Sequence, residues 1–512
     1  MCLISVAAYI TYIQCHKRYL QIYSMNLVLL SLLSCYTAVI TAASASIFQS
    51  SSGIAMQVFQ EKSNRERLSH MISYISRADV NAAHSVVFAM VNKNMDELTN
   101  VLHDVSNPSS ANYGKHWTKQ EVVDFTFNRE AYEAVMNFIS STDEVVVNTQ
   151  TLHGEYIFAT APVHVWEKMF GTTFHVYLVE GNHIIRAEEY SLPAALHNHV
   201  STVLNTVQFH PPNMLEKKKV QKPIPSSQGP SSNPMLSALS ASENDPTSTS
   251  AIQSIPFGAV VPALIKSFYS VPNNITGSKL VSQAVYESRG GRLCKQDLVS
   301  FEDVFDLPHQ HVSIVVRNQD DDYYEIVDDY NTYLPCDFNA YGYGESNLDV
   351  QYITAIAPGA KTFLDYSHAW MLGWITSVVN SEAPANVYSI SWGSYEKYLP
   401  VSYLSAFNTE AIKLGVMGST IVVSSGDDGV SPYSASGNSS QCGYTALFPA
   451  SSPYVLTVGA TRGPEVNSPE VACQSGAGNL DPSSTDYFPL ITSGGGFSNA
   501  SVFRFIVASF LS

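Results

Sequence analysis

The 512 residues predict two folded units of different class, an α+β unit over about 84–212 and an α/β unit built on a parallel sheet over about 253–498. Two patterns and one break carry that expectation. After residue 255, apolar strand-like runs alternate with helical segments, the order expected of parallel strands joined by crossover helices. Before 212, strands and helices come in blocks, the order of helices laid on one face of an antiparallel sheet. Between the two lies a stretch from 213 to 252 with Lys217-Lys218-Lys219, then Pro223, Pro225, Gly229, Pro230 and Pro234 among serines. Such a composition cannot bury a core, so it reads as a linker open to proteases.

The elements follow in order. Ser85–Val91 is a strand-like run, and Met95–Val105 has helical spacing that ends in the turn cluster Ser106-Asn107-Pro108-Ser109-Ser110. Thr118 with Glu121 three residues on is a capping box opening a helix to Thr126. Arg129–Ser140 continues helical, and Glu144–Thr149, Tyr156–Ala159 and Phe174–Leu178 read as strands. In the second unit, Ala251–Val271 is partly helical, Val312–Val316 is a strand, and Leu348–Ala357 is a helix stopped by Pro358-Gly359. Strands are expected at Thr362–Tyr366, Val387–Ser391, Thr420–Ser424 and Tyr454–Val458, with a helix over Ser405–Leu414.

Hydrophobic residues make up 45% and charged residues 14%, which supplies a core and excludes a mostly disordered chain. The net charge of −17 is the wrong sign for wrapping nucleic acid. Residues 1–45 form a targeting region: Met25 is an internal start, Leu27–Leu33 an apolar core, and Ala43-Ser44-Ala45 a small-residue cleavage site. Left uncleaved, the same segment is a membrane anchor, the one route by which a membrane becomes a partner. Acceptor sequons at Asn274, Asn438 and Asn499 agree with passage through the secretory pathway, to a lysosomal or extracellular destination. Cys2, Cys15 and Cys35 lie in the targeting region. Cys294, Cys336, Cys442 and Cys473 lie downstream and allow three pairings, which spacing leaves open.

Several patterns could bear chemistry. Glu345 and Asp349 are four apart and share a helix face, so they repel, one pKa rises, and the pair can work as a base in acid. Asp427 stands in Ser425-Gly426-Asp427-Asp428-Gly429 where a strand ends, the edge at which open α/β sheets place their sites. An acid kept protonated there can donate to an oxyanion. Ser391-Trp392-Gly393 offers an extended edge to a peptide. His197-Asn198-His199 and His309-Gln310-His311 lack the supporting ligand spacing of a metal site, and Asp320-Asp321-Asp322 with Asp328-Asp329 lacks the glycine and glutamate of a calcium loop. No metal ligand is assigned.

The order of these blocks resembles the sedolisin family of serine-carboxyl peptidases. The resemblance rests on Glu345 and Asp349 within Leu348-Asp349-Val350-Gln351-Tyr352, then Ser389-Ile390-Ser391-Trp392-Gly393, then the Asp427 turn. It continues with Phe448-Pro449-Ala450-Ser451-Ser452-Pro453-Tyr454 and Ser493-Gly494-Gly495-Gly496-Phe497-Ser498, and upstream with Val105–Val122. It implies a subtilisin-like doubly wound parallel sheet, incomplete here, preceded by an α+β ferredoxin-like activation prodomain. It further implies that Glu345 is the general base toward a serine, that Asp349 tunes it, that Asp427 lines the oxyanion hole, and that Ser391, Trp392 and Gly393 bind substrate. The implied activity is acid peptidase action on peptides or unfolded proteins, releasing tripeptides from free N-termini, with the chain's own prodomain as a partner.

One departure stands out. The family's nucleophile belongs to a Ser-Gly-Thr-Ser block beyond the glycine loop, and no Gly-Thr-Ser occurs in these residues. Residues 499–512 form a divergent tail, and the calcium loop expected in a complete member is absent. This polypeptide is therefore expected to lack a nucleophile and to be inactive alone. The alternative is a non-enzymatic truncated form that binds peptides or inhibits through its prodomain. A glycosidase reading of the acid pair ranks last, because one helix turn sets the acids side by side instead of across a sugar.

Overall fold

The computed structural model describes residues 48–49, 55–68, 72–151, 154–179, 181–209, 258–272, 276–278, 280–288, 293–317, 324–327, 344–367, 370–431, 443–475 and 491–498. The targeting region, linker, tail, three sequons, acidic runs at 320–322 and 328–329, and Cys2, Cys15, Cys35, Cys336 and Cys442 lie outside them. Cys473 is free and buried. Cys294 is disulfide-bonded.

The first unit starts with β1 (Phe48–Gln49), β2 (Ala55–Lys62), β3 (Ile72–Arg77) and β4 (Ala83–Met90). Helices α1 (Met95–Ser106), α2 (Lys119–Thr126) and α3 (Arg129–Ile139) follow, then β5 (Val146–Gln150), β6 (Tyr156–Pro162) and α4 (Val163–Phe170). It closes with β7 (Phe174–Val179), β8 (Asn182–Ala187), β9 (Glu189–Pro193) and β10 (Val200–Leu204). The central antiparallel sheet runs β10-β4-β6-β5. Numbered by sequence those strands lie 4-1-3-2, the ferredoxin-like arrangement. Thr118 caps α2 with both capping-box bonds in place. Val86, Phe88, Ile157, Trp166 and Phe170 fill the core between this sheet and its helices. Upstream of residue 84, β2 pairs with β9 and β3 with β7, so pairing reaches past the expected start of the unit.

The second unit contains α5 (Pro262–Phe268), β11 (Ser282–Glu287), α6 (Lys295–Val304), β12 (Val312–Arg317), β13 (Tyr324–Val327) and α7 (Gly344–Ile356). It continues with β14 (Lys361–Ser367), α8 (Met371–Asn380), β15 (Val387–Ile390), β16 (Ser394–Tyr395), α9 (Val401–Val416), β17 (Thr420–Ser424), β18 (Leu447–Phe448) and β19 (Leu456–Val458). The sheet order is β13-β12-β14-β11-β15-β17-β19, all parallel except β13 at one edge. This is a subtilisin-like doubly wound sheet. Alternation along each strand sorts the faces. Ala284, Tyr286, Tyr388, Ile390 and Ile421 pack under α8 and α9, while Val285, Ile314 and Leu364 pack under α6 and α7. Arg317 ties β12 to β14 and α8, with a two-pronged pair to Asp365 at 2.6 and 2.8 Å and bonds to Ser377 and Ser381.

The two units meet on α9. One side of this helix sends Tyr403, Phe407 and Leu414 to the sheet, and the other sends Ile412 and Val416 to Leu98 and Val122 of the first unit. A helix apolar on both sides must be covered on both. Gly415 leaves room for Leu102, whose Cδ1 lies 2.7 Å from where a Cβ would stand. The seam also holds buried polar bonds. Tyr156 donates to Glu410 at 3.1 Å, Lys413 pairs with Glu410 at 3.1 Å, and Asn64 donates to the carbonyls of Tyr398 and Phe209. Glu61 accepts from Tyr190, Thr202 and Ser402.

The first unit carries an acid-sensitive contact. Arg186 is buried, and its bonds run to the carbonyls of Gln208 and Ile185 and to Asn205 Oδ1. His84 lies beside it, buried, with Nε2 2.9 Å from the Asn205 carbonyl and its own carbonyl accepting from Trp166. Burial first, and the Arg186 charge second, bring the His84 pKa down to about 4 from 6.5. The native state therefore holds His84 neutral where the unfolded chain protonates it. That stability is complete above pH 6.5 and is lost as pH falls through about 4, to the extent of roughly 3 kcal/mol. Urea unfolding of the first unit's tryptophan signal is expected to weaken across this window. His84→Gln, which keeps a donor for Asn205, is expected to flatten that part of the decline; an identical pH slope in the variant would contradict this account.

Candidate active site

The site is set by the point where the sheet's winding direction reverses. β11 lies between β14 and β15, so the crossovers from its two sides diverge and leave a crevice at the strands' carboxyl ends. Glu287 ends β11, Ser391 and Trp392 follow β15, Asp427 follows β17, and α7 lays Glu345 and Asp349 along the crevice.

Three carboxyl groups interact there. Asp349 accepts from the Ser391 hydroxyl at 2.5 Å. Burial lifts its pKa to about 6, against the lowering effect of that hydrogen bond. Glu345, one turn earlier, opens to solvent at the crevice mouth. Desolvation by the crevice walls, then the charges of Asp349 and Asp427, bring its pKa to about 7. Glu287 is fully buried, and its Oε2 accepts from the Trp392 indole at 3.0 Å. Burial, followed by the Asp349 charge, pushes its pKa well above the usual carboxylate range and favours its neutral form. The crevice thus holds a deep neutral acid, a middle acid fixed by a hydroxyl, and an outer acid free to exchange protons. Such a coupled pair can take a proton from a hydroxyl brought to Glu345.

Asp427 is close enough for its charge to raise the Glu345 pKa, so the three acids expected from sequence share one crevice. The turn carrying it is braced. Tyr395 donates to Asp428 at 3.1 Å, and the Thr492 amide donates to the Asp427 carbonyl at 2.8 Å. Gly494 lies against this turn so tightly that a Cβ would stand 1.8 Å from the Ser425 carbonyl oxygen. This explains Gly494 on contact grounds, and a φ of +126° explains Gly496 on backbone grounds. Of the expected substrate-binding residues, Ser391 faces Asp349, and the Trp392 indole N–H is turned inward to Glu287. At Gly393 a Cβ would meet Leu447 and the Phe448 carbonyl at 2.9 Å. Sequence reasoning missed Glu287 because it missed β11; an acid closing a short apolar run at a strand's carboxyl end was the available signal. Among the described residues, no three His, Cys, Asp or Glu side chains are grouped to hold a metal ion.

Fold and site together define a zymogen-type peptidase, an activation domain followed by a subtilisin-like domain with an acidic crevice. The model of the pro-kumamolisin activation domain matches residues 71–209, and that of the subtilase family matches residues 353–490. The chain is 27% identical over 447 residues to tripeptidyl-peptidase 1 of Rattus norvegicus, covering 83% of this chain and 67% of that protein. It is 26% identical over 448 residues to the Homo sapiens tripeptidyl-peptidase 1, with the same coverage. It is also 26% identical over 491 residues to aorsin of Aspergillus oryzae, covering 83% and 71%. A solved structure of Pseudomonas sedolisin, a serine-carboxyl proteinase, aligns with a TM-score of 0.34 and 22% identity, over 46% of this chain and 62% of that one. The chain belongs to the sedolisin family of serine-carboxyl peptidases and is of the tripeptidyl-peptidase 1-like kind.

The raised pKa values have a thermodynamic consequence. Glu345 and Asp349 bind protons more tightly in the native state than when unfolded. Their stabilising effect is full in acid, below the ordinary carboxylate range, and is lost as pH rises through about 6 and 7. Glu345→Gln is therefore expected to stabilise the chain at pH 8 by on the order of 1 kcal/mol, discounted for its solvent-facing position, and to change nothing at pH 4. Chemical denaturation at both pH values checks this; equal effects at the two would contradict it.

Proposed function

We propose that the chain is the framework of a serine-type acid peptidase that releases tripeptides from free N-termini. In this reading the attacking serine comes from a segment that is not among these 512 residues. The observation that carries the reading is the crevice itself, with Glu345 as base, Asp349 beside it and Asp427 facing them. A second observation concerns the sheet. A parallel sheet is covered on both faces, yet on the α7 side Val387, Leu456 and Val458 are 37–53% exposed. A groove of about 450 Å³ lies beside them, lined by Leu348, Asp349, Tyr352, Ile356, Val387 and Ser389. An amphipathic segment seated there would cover that face and bring a hydroxyl to the acid pair. It would also add a hydrogen-bond donor, which pulls the pair's pKa values down toward an acid working range.

In the mechanism Glu345 takes the proton of the attacking hydroxyl, the neighbouring Asp349 charge favours the protonated Glu345 that results, and Asp427 lines the oxyanion site. The relatives' proteolysis suits the secretory pathway or the extracellular space, with the lysosome as the specific destination proposed. Among the described residues no helix is long and apolar enough to cross a membrane. Calcium belongs to the proposal for a complete family member, and no ligand for it is assigned among the described residues. A second, non-enzymatic reading has the seam on α9 in its favour: the first unit is fully docked through buried bonds, as an inhibitor of the intact peptidase would be.

The test is hydrolysis at pH 4–6 of a tripeptide amide with a free N-terminus and of its blocked counterpart. The 512-residue chain alone is expected to cleave neither. Fused to the C-terminal third of the rat relative, it is expected to cleave the free substrate and spare the blocked one, with Glu345→Ala lowering the rate by about 10²–10⁴-fold. Cleavage that ignores Glu345→Ala would overturn the assignment.

A further inference from the structure

Ser391 lies between the two acids of α7 in a way the base assignment does not use. Its Oγ is 2.5 Å from Asp349 Oδ2, in the range of a hydroxyl bonded to a charged carboxylate. The same hydroxyl is near enough to Glu345 to favour its charged form. A serine has one hydrogen to donate and lone pairs to accept with, so it can serve only one of these acids as donor at a time. Its own position is not free to drift. Ile390 before it is buried in the sheet core, and Trp392 after it is anchored to Glu287 at 3.0 Å. Beside it are Asp349 and Glu345 from α7, and the charges that act on this pair come from acids as well: Asp349 acts on Glu287 from β11, and Asp427 from the turn after β17 acts on Glu345.

We propose that Ser391 is a positioning residue that decides which acid carries the pair's proton: its one hydrogen is committed to Asp349, so Glu345 is left as the acid that takes up and releases the proton. With Glu345 protonated, its O–H can donate back to the serine oxygen, giving a directed chain from Glu345 through Ser391 to ionised Asp349. When the proton leaves Glu345 for solvent, only that O–H bond breaks, and the serine hydrogen stays where it was. This rests on the acid-pair reading of the site, but its test needs no substrate.

The experiment is a pH titration of the full chain labelled with ¹³C at the Asp and Glu carboxyl carbons, with the signals assigned by Glu345→Gln and Asp349→Asn. As pH falls in the wild type, Glu345 is expected to take up its proton before Asp349. In Ser391→Ala, the Asp349 step is expected to move up by about one pH unit, a tenfold change in its protonation, and Ser391→Thr is expected to restore it. The Trp392 indole N–H signal reports whether the strand end is intact in each variant. An unmoved Asp349 step with that signal unchanged overturns the proposal. So does a wild type in which Asp349 is protonated first, a result that needs no variant to fold. Failure of the hydrolysis test would leave this titration unchanged, so the two readings fail separately.

Discussion

Where β11 and β15 end side by side, three carboxyl groups are packed so closely that they cannot all be charged, and much else in the second unit follows from how this is resolved. The deepest, Glu287, is held neutral by burial and steadied by the Trp392 indole. The middle one, Asp349, has a hydroxyl donor to support its charge. The outermost, Glu345, has solvent on one side and like charge on the other, so it responds most directly to pH. Desolvation thus falls from the sheet outward, and proton mobility rises in the same direction. A carboxyl with a pKa of about 7 is itself protonated in acid, so Glu345 becomes a base there only once a hydrogen-bond donor lowers that value.

The geometry that holds these groups is a matter of strand parity and helix phase. Glu287 shares its sheet face with Val285, which puts it under α7 instead of α8. Glu345 and Asp349 are one helix turn apart, which gives both the same outlook. A shift of one residue in the β11 register would send Glu287 to the α8 face and leave Asp349 without its deep neighbour. On the far side of the sheet, α9 is the common wall of both units, and this is why Glu410 and Lys413 are buried there as a bonded pair, with Tyr156 donating to Glu410. The named bonds of the seam reach the second unit on α9 and just before it, while the crevice acids sit with α7 on the opposite face of the sheet.

Much of this was legible in the residues, for definite reasons. The capping box at Thr118, the helix stop at Pro358-Gly359 and the strand at Thr420–Ser424 are local signals, and local physics settles them. Glu345, Asp349 and Asp427 were legible because their spacing and turn context survive in one dimension. What escaped was non-local. β11 is a six-residue strand buried on both faces, with no alternation to mark it. α8 is apolar nearly all round, so it shows no helical stripe. β2 and β3 find their partners at β9 and β7, far along the chain, past α1, α2, α3 and α4. With β11 went Glu287, and with Glu287 went the reason for Trp392, whose indole looks outward in the sequence and inward in the structure.

The open half of the sheet and the acid pair are two sides of one arrangement. Asp349 and Ser389 line the same groove that exposes Val387, so whatever covers those apolar side chains must also come within reach of the acids. Covering would remove water from the crevice mouth, which raises carboxyl pKa values, while a donated hydroxyl lowers them. The balance is decided by whether the incoming surface brings a donor. A purely apolar cover would leave Glu345 protonated and idle in acid, whereas a cover bearing a hydroxyl aimed at Glu345 would give that carboxylate its proton to take. On the proposed function, the apolar groove supplies the affinity and the acid pair sets the chemical requirement on the incoming segment.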